Sequence, residues 1–208
     1  MKKLGSTLPN MFLSLTIICV VASALLSFVY NGTKDIIAQS KVAALERAIG
    51  EVTPEFDNSP YQEQVKILVE TDSLSVFPAT KDGALVATAV QSVTHKGFSG
   101  DVSILFGFDL EGNIINYSVL SMQETPGLGT KMTDWFKTEK GNQSVLGRNL
   151  NNGDLKVKQD QGDVDAITAA TISSRAFLDA AARAHIAQKE FVASRNSAPS
   201  PSTESEQE

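Results

Sequence analysis

From Met11 to Tyr30 the chain runs for twenty residues without a charge, MFLSLTIICVVASALLSFVY. At about 1.5 Å per residue, a helix of that length is roughly 30 Å long, the thickness of a bilayer's hydrocarbon core. This limits the start of the chain to two readings. One is a transmembrane anchor over 11–30. The other is a secretory leader cut at the small-residue stretch Val21-Ala22-Ser23-Ala24. The anchor is the better fit, because the apolar run continues past that stretch through Leu25, Leu26, Phe28 and Val29. Lys2 and Lys3 precede the run, while Lys34 and Asp35 after it cancel. The positive-inside rule then places residues 1–10 in the cytoplasm and everything beyond Tyr30 outside it.

Beyond the anchor, Ile36, Ile37, Val42, Ala43, Leu45 and Ile49 recur at helical spacing up to Gly50. They predict a stalk helix within 31–52. The pattern then changes to short β segments, at 74–78, 84–94, 102–109 and 114–122. Val102, Ile104, Phe106 and Phe108 alternate onto one face. Lys81-Asp82-Gly83 and Glu111-Gly112-Asn113 are turn signals between consecutive strands, so the sheet should be an antiparallel meander. A last helix is expected from about Ser174 to Val192, capped by Ser173 or Ser174. Residues 194–208, rich in Ser, Pro and Glu, read as a disordered tail. The fold class is therefore α+β, an antiparallel sheet with flanking helices over 53–193, preceded by one membrane helix.

Composition narrows the chemistry. With 18 Lys+Arg against 24 Asp+Glu, and no basic cluster beyond the extreme N-terminus, the chain is not an electrostatic nucleic-acid binder. One cysteine cannot build a disulfide, an iron–sulfur cluster or a thiolate zinc site, and His95 and His185 lie too far apart in sequence to suggest a metal centre. Redox chemistry here would need an organic cofactor.

Two segments could hold one. Glu124-Thr125-Pro126-Gly127-Leu128-Gly129 follows a predicted strand, and Pro126-Gly127 suits a type II turn. Its glycines let backbone approach a flat ligand while Leu128 packs on the ligand's face. An ordinary connecting loop would also use these residues. The second segment, Asp165-Ala166-Ile167-Thr168-Ala169-Ala170-Thr171-Ile172-Ser173-Ser174-Arg175, opens the last helix. It offers four hydroxyls, at Thr168, Thr171, Ser173 and Ser174, beside the free N–H groups and positive dipole of a helix start, with Arg175 alongside. That suits a phosphate, although a helix cap with surplus serines has the same composition. No P-loop lysine and no G-x-S-x-G elbow is present.

Taken together, Glu-Thr-Pro-Gly-Leu-Gly and the later Asp-x-x-Thr-Ala-Ala-Thr-x-Ser-Ser stretch resemble the FMN-binding domain of the G subunits of Rnf electron-transport complexes. More distantly they resemble the C subunit of the sodium-translocating NADH:quinone reductase. Lys96-Gly97-Phe98-Ser99-Gly100 is similar to an element that precedes the family's central strands, and the likeness covers nearly the whole chain. It implies an electron-carrying flavoprotein subunit of a bacterial inner-membrane complex that couples ferredoxin/NAD-type electron transfer to ion translocation, catalytic only within the assembly. It also implies FMN joined through its phosphate to a threonine by a flavin transferase that reads Asp-x-x-Ser/Thr-Gly-Ala-Thr. On this chain the recognition residues become Asp165, Thr168, Ala169, Ala170 and Thr171, with Thr171 as the covalent attachment point. Glu124, Thr125, Gly127, Leu128, Gly129, Thr168, Ala170, Ser173 and Ser174 become the cofactor-binding set, with no metal. The expected partners are the other subunits of the complex, the transferase and the membrane. One position departs from the pattern: Ala169 stands where the family usually has Gly. A methyl there costs little at negative φ and more at positive φ. That departure keeps open a scaffold domain without flavin.

Overall fold

A computed structural model describes residues 7–153 and 155–197. The chain divides into two units, one up to Ala44 and one from Leu45 onward. Helix α1 (Leu8–Val52) contributes to both. In the first unit its apolar residues, Leu13 to Tyr30 among them, are exposed, and none of the most apolar 18-residue window is buried against protein. It is one helix long and apolar enough to cross a membrane. The helix runs unbroken through Asn31-Gly32, where a single glycine costs only about 1 kcal/mol. Gly50, where the stalk was expected to stop, does not end it. Pro54 does, because it disfavours helical geometry at the residue before it. The Thr53 hydroxyl and amide both donate to the Ile49 carbonyl at this end (2.7 and 3.1 Å).

The second unit is built on a five-stranded antiparallel sheet in sequence order, β1 (Val65–Val69), β2 (Asp72–Lys81), β3 (Ala84–Thr94), β4 (Val102–Phe108) and β5 (Ile114–Ser121). The meander matches the expected fold class and adds β1, which the turn signals do not reveal. Its hairpin to β2 turns through Glu70-Thr71, with Glu70 at φ 56° and no Gly, Asn or Pro in the turn.

Both faces of the sheet are covered. On one, Val76, Val90, Ile104, Phe106 and Phe108 meet Phe177, Ala180, Ala181, Ala184 and Ala187 of α3 (Thr171–Ser197) in the main core. The alternation expected for Val102, Ile104, Phe106 and Phe108 thus faces that helix. On the other face, Phe77, Ala89 and Leu105 pack against Ala48, Ile49 and Val52, the last turns of α1. The end of the expected stalk helix, from Leu45 onward, is therefore part of the second unit.

Helix α3 is longer than its sequence pattern suggests at both ends. It starts at Thr171, so Ser173 and Ser174 lie within its first turn and do not cap it. It runs through 194–197, which are helical where a tail was expected. The remainder of that tail, 198–208, lies outside the described residues. Between β5 and α3 the chain makes a short helix α2 (Met132–Trp135) and several 3₁₀ turns. Phe136 stacks on Phe177 at a centroid distance of 4.2 Å, and Tyr117 meets the same ring edge-on at 4.7 Å. This aromatic cluster seats the first two turns of α3.

Candidate functional site

The Glu124–Gly129 loop and the segment that opens α3 meet at one cleft of about 330 Å³, the low end of the size range of ligand pockets. Its lining comes from Phe98, from Glu124, Thr125, Leu128 and Gly129, and from Ala169 to Ser173. Phe98, Leu128 and Ile172 stand exposed around it, a mostly apolar set with one carboxylate among its lining residues. Phe98 and Ile172 are additions to the site expected from sequence. Gly97 and Gly100, flanking Phe98, are the signal for the first of them. A Cβ at Gly97 would lie 2.1 Å from the Gly100 carbonyl oxygen, so that loop closes only on glycine.

Glu124 ties the cleft together. It is buried, and its carboxylate accepts from the Phe98 backbone N–H through Oε1 and from the Ser173 hydroxyl through Oε2, each at 2.7 Å. Gly127 has φ 76°, as the expected turn requires, and its N–H donates to the Thr130 hydroxyl at 2.9 Å, but the residue does not line the cleft. Gly129 does line it, and a Cβ there would press on the Glu124 carboxylate and the Ser173 hydroxyl (2.5 and 2.6 Å).

The second segment enters the helix through a turn. Ala170 N–H donates to the Ile167 carbonyl at 2.9 Å, placing Thr168 and Ala169 at the centre of a β-turn. Ala169 has φ 62°. This is the left-handed region that a type II turn demands at its third residue and that favours glycine. The departure from the family pattern therefore falls on the costly branch, at about 1–2 kcal/mol for an L-residue. The Ser174 hydroxyl holds the turn against α3, accepting from Ile167 N–H (2.9 Å) and donating to the Ala170 carbonyl (3.0 Å).

The four hydroxyls consequently have different surroundings. Ser174 is buried against the turn and Ser173 is bonded to Glu124; Thr168 is exposed on the turn and does not line the cleft. Thr171 alone of the four lines the cleft with no hydrogen bond to its hydroxyl among the described residues. As the first residue of α3, it stands where backbone N–H groups precede the first intrahelical acceptors.

The charges nearby are paired. Arg175, expected beside a phosphate, is bonded to both oxygens of Asp160 (2.6 and 2.7 Å) and lines a separate cleft with Lys96, Lys156 and Asp179. Its guanidinium holds the Asp160 carboxyl below the usual carboxylate range. Asp165 is similarly lowered, first by the ammonium of Lys158 at 2.6 Å and then by the Asn142 N–H at 2.8 Å. Its carbonyl accepts from the Trp135 indole N–H at 2.8 Å. Asp165 thus pins the start of the segment to its surroundings. Trp135 serves this pin, and Phe136 serves the core.

Comparison with known proteins agrees with this architecture. Residues 97–185 match the FMN-binding domain model, and residues 13–52 match the RnfG N-terminal region. The G subunit of the ion-translocating oxidoreductase complex of Vibrio vulnificus is 33% identical over 181 residues, covering 81% of this chain and 83% of that protein. The protein of the same name from Aliivibrio fischeri is 30% identical over 189 residues, covering 86% and 89%. That of Shewanella amazonensis is 32% identical over 178 residues, covering 80% of each. The FMN-binding match contains all of the cleft's lining residues, and the N-terminal match ends where α1 ends. The chain belongs to the family of G subunits of Rnf-type ion-translocating oxidoreductase complexes.

Proposed function

We propose that this chain carries FMN esterified through its phosphate to Thr171, and that it relays electrons within a membrane complex coupling ferredoxin/NAD-type electron transfer to ion translocation. The observation that carries the reading is the selection made by the fold. Of the four hydroxyls in the 168–174 segment, only Thr171 both lines the cleft and is free of intramolecular hydrogen bonds among the described residues.

The residues present fit the group. Phe98, Leu128 and Ile172 give the cleft an apolar surface that shields a ring from water, and the start of α3 supplies N–H donors and a positive dipole for a phosphate. FMN, when bound, supplies one- and two-electron transfer. The protein's own part is placement. Gly129 lets the loop lie close to α3, Glu124 fixes that contact, and the Thr171 hydroxyl offers the attachment atom.

The rest of the assignment follows the family. The partners are the other subunits of the complex, with a flavin transferase for maturation that reads Asp165, Thr168, Ala169, Ala170 and Thr171. The Leu8–Val52 helix anchors the chain in the bacterial inner membrane, with its N-terminus cytoplasmic and its domain outside. A scaffold domain without flavin is the second reading, favoured by one observation, the left-handed Ala169.

Flavin fluorescence in a denaturing gel separates the two readings. Chain purified from cells with the transferase should fluoresce, and Thr171→Ala should not. A dark wild-type band supports the scaffold. Fluorescence retained in Thr171→Ala contradicts the tether.

A further inference from the structure

Resting on the assignment of the tether to Thr171, we propose that Glu124 is a positioning residue for flavin attachment. Its carboxylate clamps the first turn of α3 to the Gly97–Phe98 loop, and this clamp turns the Thr171 hydroxyl toward the cleft. Three observations meet on the one side chain. Its two oxygens serve different segments, Phe98 N–H and Ser173 O–H at 2.7 Å each, although Glu124 lies 26 and 49 residues away from them in sequence. Gly129 makes room for it, since a Cβ there would stand 2.5 Å from Oε2. Gly129 has no positive φ, so backbone conformation does not account for it. Finally, Ser173 is two residues from Thr171 within a single helical turn. Fixing Ser173 fixes the rotation of that turn, and with it the direction of Thr171.

Attachment forms a bond between Thr171 Oγ1 and phosphorus and breaks the phosphoanhydride of a flavin dinucleotide donor. The nucleotide monophosphate departs, and the hydroxyl proton passes to a base of the transferase or to solvent. Glu124 takes no part in that exchange and acts only through Ser173 and Phe98. The role calls for two acceptor contacts and not for a negative charge. An amide can supply them: its oxygen accepts from Phe98 N–H, and its NH₂ donates to a Ser173 hydroxyl that has reversed its role.

The test uses the full-length chain in detergent, from cells co-expressing the transferase, with covalent flavin per chain followed over time by gel fluorescence. Glu124→Gln should label within about threefold of the wild-type rate, the difference between charged and neutral hydrogen bonds. Glu124→Ala, which leaves the buried Ser173 hydroxyl and the part-buried Phe98 N–H without their acceptor, should label at least about tenfold more slowly. Ser173→Ala removes one arm of the clamp and little volume, so it should fall between the two, and it decides the matter if Glu124→Ala does not fold. Hydrogen exchange in unlabelled chains gives a readout independent of flavin. The Phe98 amide and the first-turn amides of α3 should exchange faster in Glu124→Ala and Ser173→Ala than in Glu124→Gln. Wild-type labelling by folded Glu124→Ala or by Ser173→Ala overturns the proposal, as does a Glu124→Gln that labels as poorly as Glu124→Ala. If Thr171→Ala labels like wild type, the tether assignment is what fails. The exchange pattern then stands alone, and unchanged exchange in Glu124→Ala overturns the clamp.

Discussion

Two residues hold conformations or charges that stability measurements can read. Ala169 sits at φ 62° in the turn before α3, a backbone state that costs an L-residue about 1–2 kcal/mol and glycine almost nothing. Ala169→Gly gives back part of that gain in unfolded-state entropy. The expected net effect is about 0.5–1 kcal/mol of added stability, or a Tm rise of roughly 1–4 °C by calorimetry. The same variant should be flavinylated at least as fast as wild type. A lower Tm would show that the turn is not left-handed at 169. His95 lies between Asp101 and Asp72, which raise its pKa, Asp101 contributing most; Asp72 in turn is lowered chiefly by its bond to the Arg183 guanidinium. A group whose folded pKa is raised stabilises fully below its unfolded value, near about 6.5 for histidine, and loses that contribution as pH climbs through the folded value. Urea midpoints of the wild type should therefore fall as pH rises from about 6.5, and His95→Gln should flatten that slope. An equal slope in both proteins would assign it to other groups.

At the scale of elements, the meander and the α3 core are legible in the chain because β2 to β5 and α3 carry plain periodicities and glycine-marked turns. β1 is not, because its hairpin turns on Glu70-Thr71, held by pairing to β2 and not by turn chemistry. The start of α3 is obscured for a related reason. Ser173 and Ser174 look like caps, but their hydroxyls go to Glu124 and Ala170, and the Glu124 contact is made only once the loops have folded. The cleft's two main segments are visible as motifs. Ile172 joins it through tertiary packing, which no local pattern encodes, and Phe98 is signalled only by the glycines at 97 and 100. The end of α1 supplies a test of such packing. A Cβ at Gly107 would fall 1.8 Å from the Val52 carbonyl oxygen, so β4 carries glycine where the helix presses on it. Gly107→Ala should destabilise the domain by about 1–3 kcal/mol in urea unfolding, the usual cost of overpacking. A negligible loss would mean that the helix end is not seated on the sheet.

In the whole molecule, a helix long and apolar enough to cross a membrane precedes an FMN-binding domain. An N-terminal tag should remain on the mature chain and sediment with membranes through a carbonate wash. A soluble mature protein beginning near Leu25 would show the apolar run to be a cleaved leader. The central claim is the attachment of FMN at Thr171, and peptide mass spectrometry reads it most directly. Trypsin should release 159–175, bounded by Lys158 and Arg175 and containing all four hydroxyls of the 168–174 segment. With the tether at Thr171, this peptide carries the mass of FMN less one water, and fragment ions place the addition on that residue. An addition on Thr168, Ser173 or Ser174, or an unmodified peptide from cells that contain the transferase, would contradict it.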